Sequence, residues 1–119
     1  MVQTATMPRV DPAEPFWQAF VDACHDLNAA DLDDRSTLGL IHGRMDDAEI
    51  GLRSTVATTL AGAAFPLWAA LHRMVISDRL QAFIVARNMS ALEEVEEELD
   101  WPARLIVAAL RSLHAQEGR

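Results

Sequence analysis

Cys24, His25 and Asp26 stand side by side, and a thiol, an imidazole and a carboxylate are the residue types of a nucleophile, its base and the group that orients the base. Their spacing works against that use. Neighbours on a helix point about 100° apart, so the three cannot converge on one reacting atom. Cys24 reads instead as a small buried hydrophobe. His42, Asp46, Asp47 and Glu49 have metal-ligand types, but acids opening a helix are accounted for by its dipole. His72, beside Arg73, reads as a helix-end residue. Glu93, Glu94, Glu96, Glu97 and Glu98 read as a solvated face, because a calcium loop takes its ligands from irregular backbone with a glycine turn. The sequence has no glycine-rich phosphate loop, no paired-histidine zinc spacing and no glutamate–histidine di-iron repeat. The expectation is a non-enzymatic protein with no cofactor and no metal.

Composition sets the frame for these residues. A chain of 119 residues with half of them hydrophobic is suited to one globular domain. The net charge is −8, and every basic side chain apart from histidine is an arginine. Such a charge repels nucleic acid and anionic membranes at long range. Ten acids and five arginines fall in residues 1–77, and eight acids and five arginines in 78–119, so neither part is a basic module. One cysteine excludes an internal disulfide and a cysteine-rich zinc site, and fits a reducing cytoplasm. Residues 1–10 show no apolar run of signal-peptide length. Ser54 to Leu71 is uncharged, but its Ser, Thr, Gly, Pro and Ala content predicts a buried helix and no membrane span.

The elements follow from periodicity and punctuation. Residues 1–10 read as a flexible arm, and residues 15–76 as a helical scaffold and dimerisation part. In that part Phe16, Trp17, Phe20, Val21, Cys24 and Leu27 recur with helical spacing over Pro15 to Ala29. A short helix is expected over Thr37 to Arg44, ended or frayed by Gly43. A long central helix then starts near Asp46 and runs through Ile50 to Ile76, kinked or split at Pro66. Gly51, Thr55, Thr58 and Gly62 near one face suit close packing against a neighbouring helix. An all-round apolar helix in so short a chain calls for a second subunit to cover it, and a homodimer is expected.

Residues 77–117 form the last part. Ser77 caps a helix to about Arg87 with Leu80, Phe83, Ile84 and Ala86 inward, and Asn88 reads as a left-handed stop. Ser90 and Glu93 have capping-box spacing. A helix over Leu92 to Leu99 has the stripe Leu92, Val95 and Leu99. Asp100 caps a further helix with Pro102 in its first turn. There Leu105, Ile106, Ala109, Leu110 and Leu113 are expected inward, and Ala103, Arg104, Val107, Arg111 and His114 outward. The chain reads as all-α, with five or six helices and no strand.

The segment "RLQAFIVARNMSALEEVEEELDWPARLIVAALRSLHAQEGR" resembles the helix-turn-helix superfamily of bacterial regulators, nearest to its winged-helix form. Arg79–Arg87 is similar to the leading helix, Leu92–Leu99 to the supporting helix and Pro102–His114 to the recognition helix. Val95, Leu99, Trp101, Ile106 and Leu110 stand at the motif's interior positions. Glu96 replaces the usual small residue and Asp100 the usual turn glycine, and no wing hairpin follows within the sequence.

The resemblance implies a transcriptional regulator in which Arg104 and Arg111 meet the DNA, His114 lies beside them, and Arg79 or Arg87 touches the backbone. The charge points the other way, since five adjacent glutamates oppose phosphate neutralisation. The alternative is an acidic helical adaptor, a regulator or accessory subunit of a larger complex. Its Glu93, Glu94 and Glu97 would meet a basic protein partner while Val107, with Ala103, offers a small apolar contact.

Overall fold

The computed structural model describes residues 10–117; the expected arm at residues 1–10 lies, except for Val10, outside the described residues. Among these are six α-helices, one 3-10 turn and no strand, as the periodicity predicts. They are α1 (Glu14–Ala29), α2 (Arg35–Ser54), α3 (Leu60–Met74), α4 (Asp78–Val85), α5 (Met89–Glu94), the 3-10 turn Glu96–Glu98, and α6 (Trp101–Glu117). None of the described helices is long and apolar enough to cross a membrane.

Helix α1 buries Trp17, Phe20, Ala23 and Cys24 along one face and packs mainly against α2. Asp34 caps α2, its carboxylate accepting the Thr37 N–H at 3.1 Å and the Thr37 hydroxyl at 2.8 Å. The expected short helix over Thr37 to Arg44 is only the first half of this twenty-residue element. Gly39 and Gly43 weaken it by roughly 1 kcal/mol each relative to alanine. Burial of Ile41, Met45, Ala48 and Leu52 on one continuous stripe outweighs that cost. Gly51 lets α1 approach closely, since a Cβ there would overlap the Phe16 ring.

The single central helix is also corrected. The chain breaks between Ser54 and Leu60, while α3 runs on through Pro66. The break forms where another element can satisfy the freed donors. The Asp11 carboxylate accepts the Thr58 N–H at 3.0 Å, the Thr59 N–H at 2.8 Å and the Thr59 hydroxyl at 2.6 Å. Its other oxygen accepts the Ala13 N–H at 2.8 Å and steadies the start of α1. The Thr59 hydroxyl oxygen in turn accepts the Gly62 N–H at 2.9 Å and caps α3. Gly62 is required by the same junction, because a Cβ there would overlap the Asp11 carboxylate. Of the four small residues expected to pack closely against a neighbouring helix, Gly51 does so against α1, whereas Gly62 makes room for the Asp11 carboxylate ahead of α1.

Helix α3 is the middle of the molecule, and its main packing partner is α6. The Trp17 ring stacks on Phe20 and Phe65 with centroids 5.6 and 5.3 Å apart. Ser77 caps α4 as expected, accepting the Leu80 N–H at 3.3 Å, and Leu80 and Ile84 are buried. The next boundary shifts by one residue. Arg87 takes the left-handed conformation with φ 53°, and Asn88 caps α5 by accepting the Ala91 N–H at 3.1 Å. Ser90 therefore lies inside α5, and the expected capping box does not form. The expected helix from Leu92 to Leu99 stops at Glu94 and gives way to the 3-10 turn. That turn lets Leu99 bury while Glu93 and Glu96 reach one arginine on α6.

Candidate interaction surface

Asp100 caps α6 as expected, accepting the Ala103 N–H at 3.1 Å. The helix is rotated about its axis relative to the expected phase. Ala103, Val107 and Leu110 form its buried face. Val107 has 0 % exposure and is a core residue, so the partner contact expected of it and Ala103 is not on the surface. Conversely, Trp101 and Leu105, expected inside, are 70 % and 56 % exposed, and Ala109 is exposed. Leu92, Leu99 and Leu110 are buried as expected, and Val95, Ile106 and Leu113 are half-buried. Both Ala103/Val107/Leu110 and Leu105/Ala109 have helical spacing; packing against α3 selects the first.

Three of the four arginines named as DNA contacts, Arg79, Arg104 and Arg111, are bound by residues of α5 and of the segment that joins it to α6. Arg111 spans Glu93 at 2.8 Å and Glu96 at 2.6 Å. These carboxylates, the Glu93 hydrogen bond first, raise the guanidinium's already high pKa. Arg79 donates to both carboxylate oxygens of Glu98 at 2.7 Å. Arg104 donates to the Leu99 and Glu97 carbonyls, each at 2.9 Å, and so fastens the turn that precedes α6. Arg87 lies away from this group, its guanidinium 5.2 Å from the Phe65 ring centroid. His114, 3.7 Å from Glu117, lines a pocket with Arg87, Ala61 and Trp68 between α3 and α6. Glu94 and Glu97 are exposed.

The structure also joins two residues that the sequence left apart. Cys24 Sγ lies 3.7 Å from His72 Nε2 across 48 residues, with both side chains buried. His72 stands in the last turn of α3, as expected of a helix-end residue, but its side chain is buried in the core, set edge-on to Phe20 at 5.3 Å. Burial pushes the thiol up to about 11 and pushes the imidazole below its ordinary value. Both are neutral at pH 7, and a protonated thiol is a poor nucleophile. His72 Nδ1 is buried without a partner among the described residues. No sequence spacing could announce this pair. Its neighbour Asp26 turns outward to Arg44 at 2.7 Å.

The acids expected to open a helix at Asp46 lie instead within α2. Asp46 and Glu49 bind Arg73 of α3 at 3.0 and 2.6 Å. Among the described residues no three His, Cys, Asp or Glu side chains are placed to share a metal ion. Beside this cluster, Ile50, Pro66 and Ala70 line an open groove between α2 and α3. Neither a family model, nor a curated protein, nor a solved structure matches the chain.

Proposed function

We propose that the chain is a small non-enzymatic regulatory protein that works by protein–protein contact, as an adaptor or accessory subunit of a larger complex. The observation that supports this reading is the internal use of Arg79, Arg104 and Arg111, all bound to residues 97–99 or to glutamates 93–98. To meet DNA, these side chains would give up those partners while phosphates approached Glu93 to Glu98. The outer face of α6 offers Trp101 and Leu105 in their place, and aromatic anchors of this kind suit protein partners.

Fluorescence anisotropy of labelled random-sequence and promoter-derived duplexes, at low and near-physiological salt, tests the reading. No binding at low salt is the expected result. Binding that weakens steeply with salt, and that disappears in the Arg104→Ala/Arg111→Ala variant with helicity unchanged, would overturn it in favour of a DNA-binding transcriptional regulator.

A further inference from the structure

Helix α6 carries a second apolar seam on the side opposite its buried face. Trp101, Leu105, Ala108, Ser112 and Ala115 follow one another at intervals of four, three, four and three residues, and all five are exposed. That alternation is the seam of a helix that packs lengthwise against another helix. No charged residue stands on it. Arg104 and Arg111, on one flank, are bound to the acidic segment of their own chain.

We propose that this seam is a homodimer interface, in which α6 packs antiparallel against α6 of a second copy about a twofold axis at Ala108. The inference rests on the protein-contact reading and names its partner. Side-chain size along the seam selects the second copy and the direction. The large residues are at the N-terminal end and the small ones at the C-terminal end. An antiparallel twofold sets Trp101 over Ala115 of the second copy and Ala108 over Ala108, and brings Leu105 beside Ser112, offset by one residue along the axis, so each large side chain meets a small one. A parallel pair would stack Trp101 on Trp101 and leave Ser112 facing Ser112 and Ala115 facing Ala115 across a gap. The antiparallel arrangement also opposes the helix dipoles favourably.

The size of the seam sets the strength of the dimer. Seventeen residues of helix measure about 25 Å, and Trp101, 70 % exposed, contributes roughly 100–175 Å² of a ring's usual burial. One such helix face falls short of the roughly 800 Å² per partner of a standard interface, so the dimer dissociates on dilution.

Sedimentation equilibrium of the full chain, from micromolar to near-millimolar concentration, tests this. The expected mass rises from 13.1 kDa towards twice that value. Ala108→Glu places two carboxylates at the twofold axis and should weaken association by about tenfold or more. Because position 108 is exposed, its circular dichroism and dilute-solution melt should match the parent. Ala108→Cys should link two copies on mild oxidation, whereas Ala115→Cys, which faces residue 101, should not. A chain that stays monomeric throughout would overturn the interface, as would a dimer indifferent to Ala108→Glu or one linked at 115 in preference to 108. A monomer that also ignores DNA removes this interface and leaves the protein-contact reading standing. Salt-steep DNA binding removes that reading whatever the mass.

Discussion

Asp11 and Thr59 are joined across 48 residues by a hydroxyl-to-carboxylate hydrogen bond of 2.6 Å and an N–H bond of 2.8 Å to the same oxygen. With the Ala13 and Thr58 N–H groups, they make one carboxylate the junction of α1, the 55–59 break and α3. The Thr59 hydroxyl first, and then the Ala13 N–H, lower the Asp11 pKa from 3.8 to about 2. A carboxyl with a depressed folded pKa stabilises the fold above its unfolded value and loses that contribution as pH falls through the folded one. Melting temperature should therefore drop between about pH 4 and pH 2 in a component that Asp11→Asn lacks. At neutral pH Asp11→Asn should melt several degrees below the parent, and an unchanged melt would remove the junction role.

Four glycines in helices should answer alanine substitution with opposite signs. Gly39 and Gly43 have open space around a built Cβ, so Gly39→Ala and Gly43→Ala should each stabilise by up to about 1 kcal/mol. At Gly51 and Gly62 the Cβ would overlap Phe16 and Asp11, so the same change should destabilise despite better helix propensity. Urea unfolding of the four single variants checks the ranking.

The phase of α6 has a stability signature. Val107→Ala should cost about 1–3 kcal/mol, since it removes buried methyl groups from a side chain with 0 % exposure. Leu105→Ala, measured at a concentration where the chain is monomeric, should stay within about 0.5 kcal/mol of the parent. The reverse ranking in chemical denaturation would restore the phase with Leu105 inward.

The Cys24–His72 pair predicts chemical silence and acid sensitivity. A buried thiol pushed up to about 11 should react with a disulfide reagent only after denaturant is added. His72 is held below its ordinary 6.5 chiefly by burial, so the unfolded chain takes up a proton first as pH falls. Stability present above about pH 6.5 should decline below it. His72→Phe should flatten that slope, which thermal melts from pH 8 to pH 5 would register.

The sequence by itself determined the all-helical architecture, because single apolar stripes at helical spacing, as in α1 and α4, have only one way to be buried. It also determined the starts of α4 and α6, since Ser77 and Asp100 cap through bonds to residues three positions on. What lay beyond local reach was decided by tertiary structure. The break between α2 and α3 falls at residues 55–59, not at Pro66, because Asp11 supplies the acceptors there. Helix α6 turns Val107 inward and Leu105 outward because two of its stripes are apolar and only α3 chooses between them. Arg111 is paired at the surface with Glu93 and Glu96, eighteen and fifteen positions away. Helical periodicity records which residues share a face, whereas the neighbour that face meets is a property of the assembled fold.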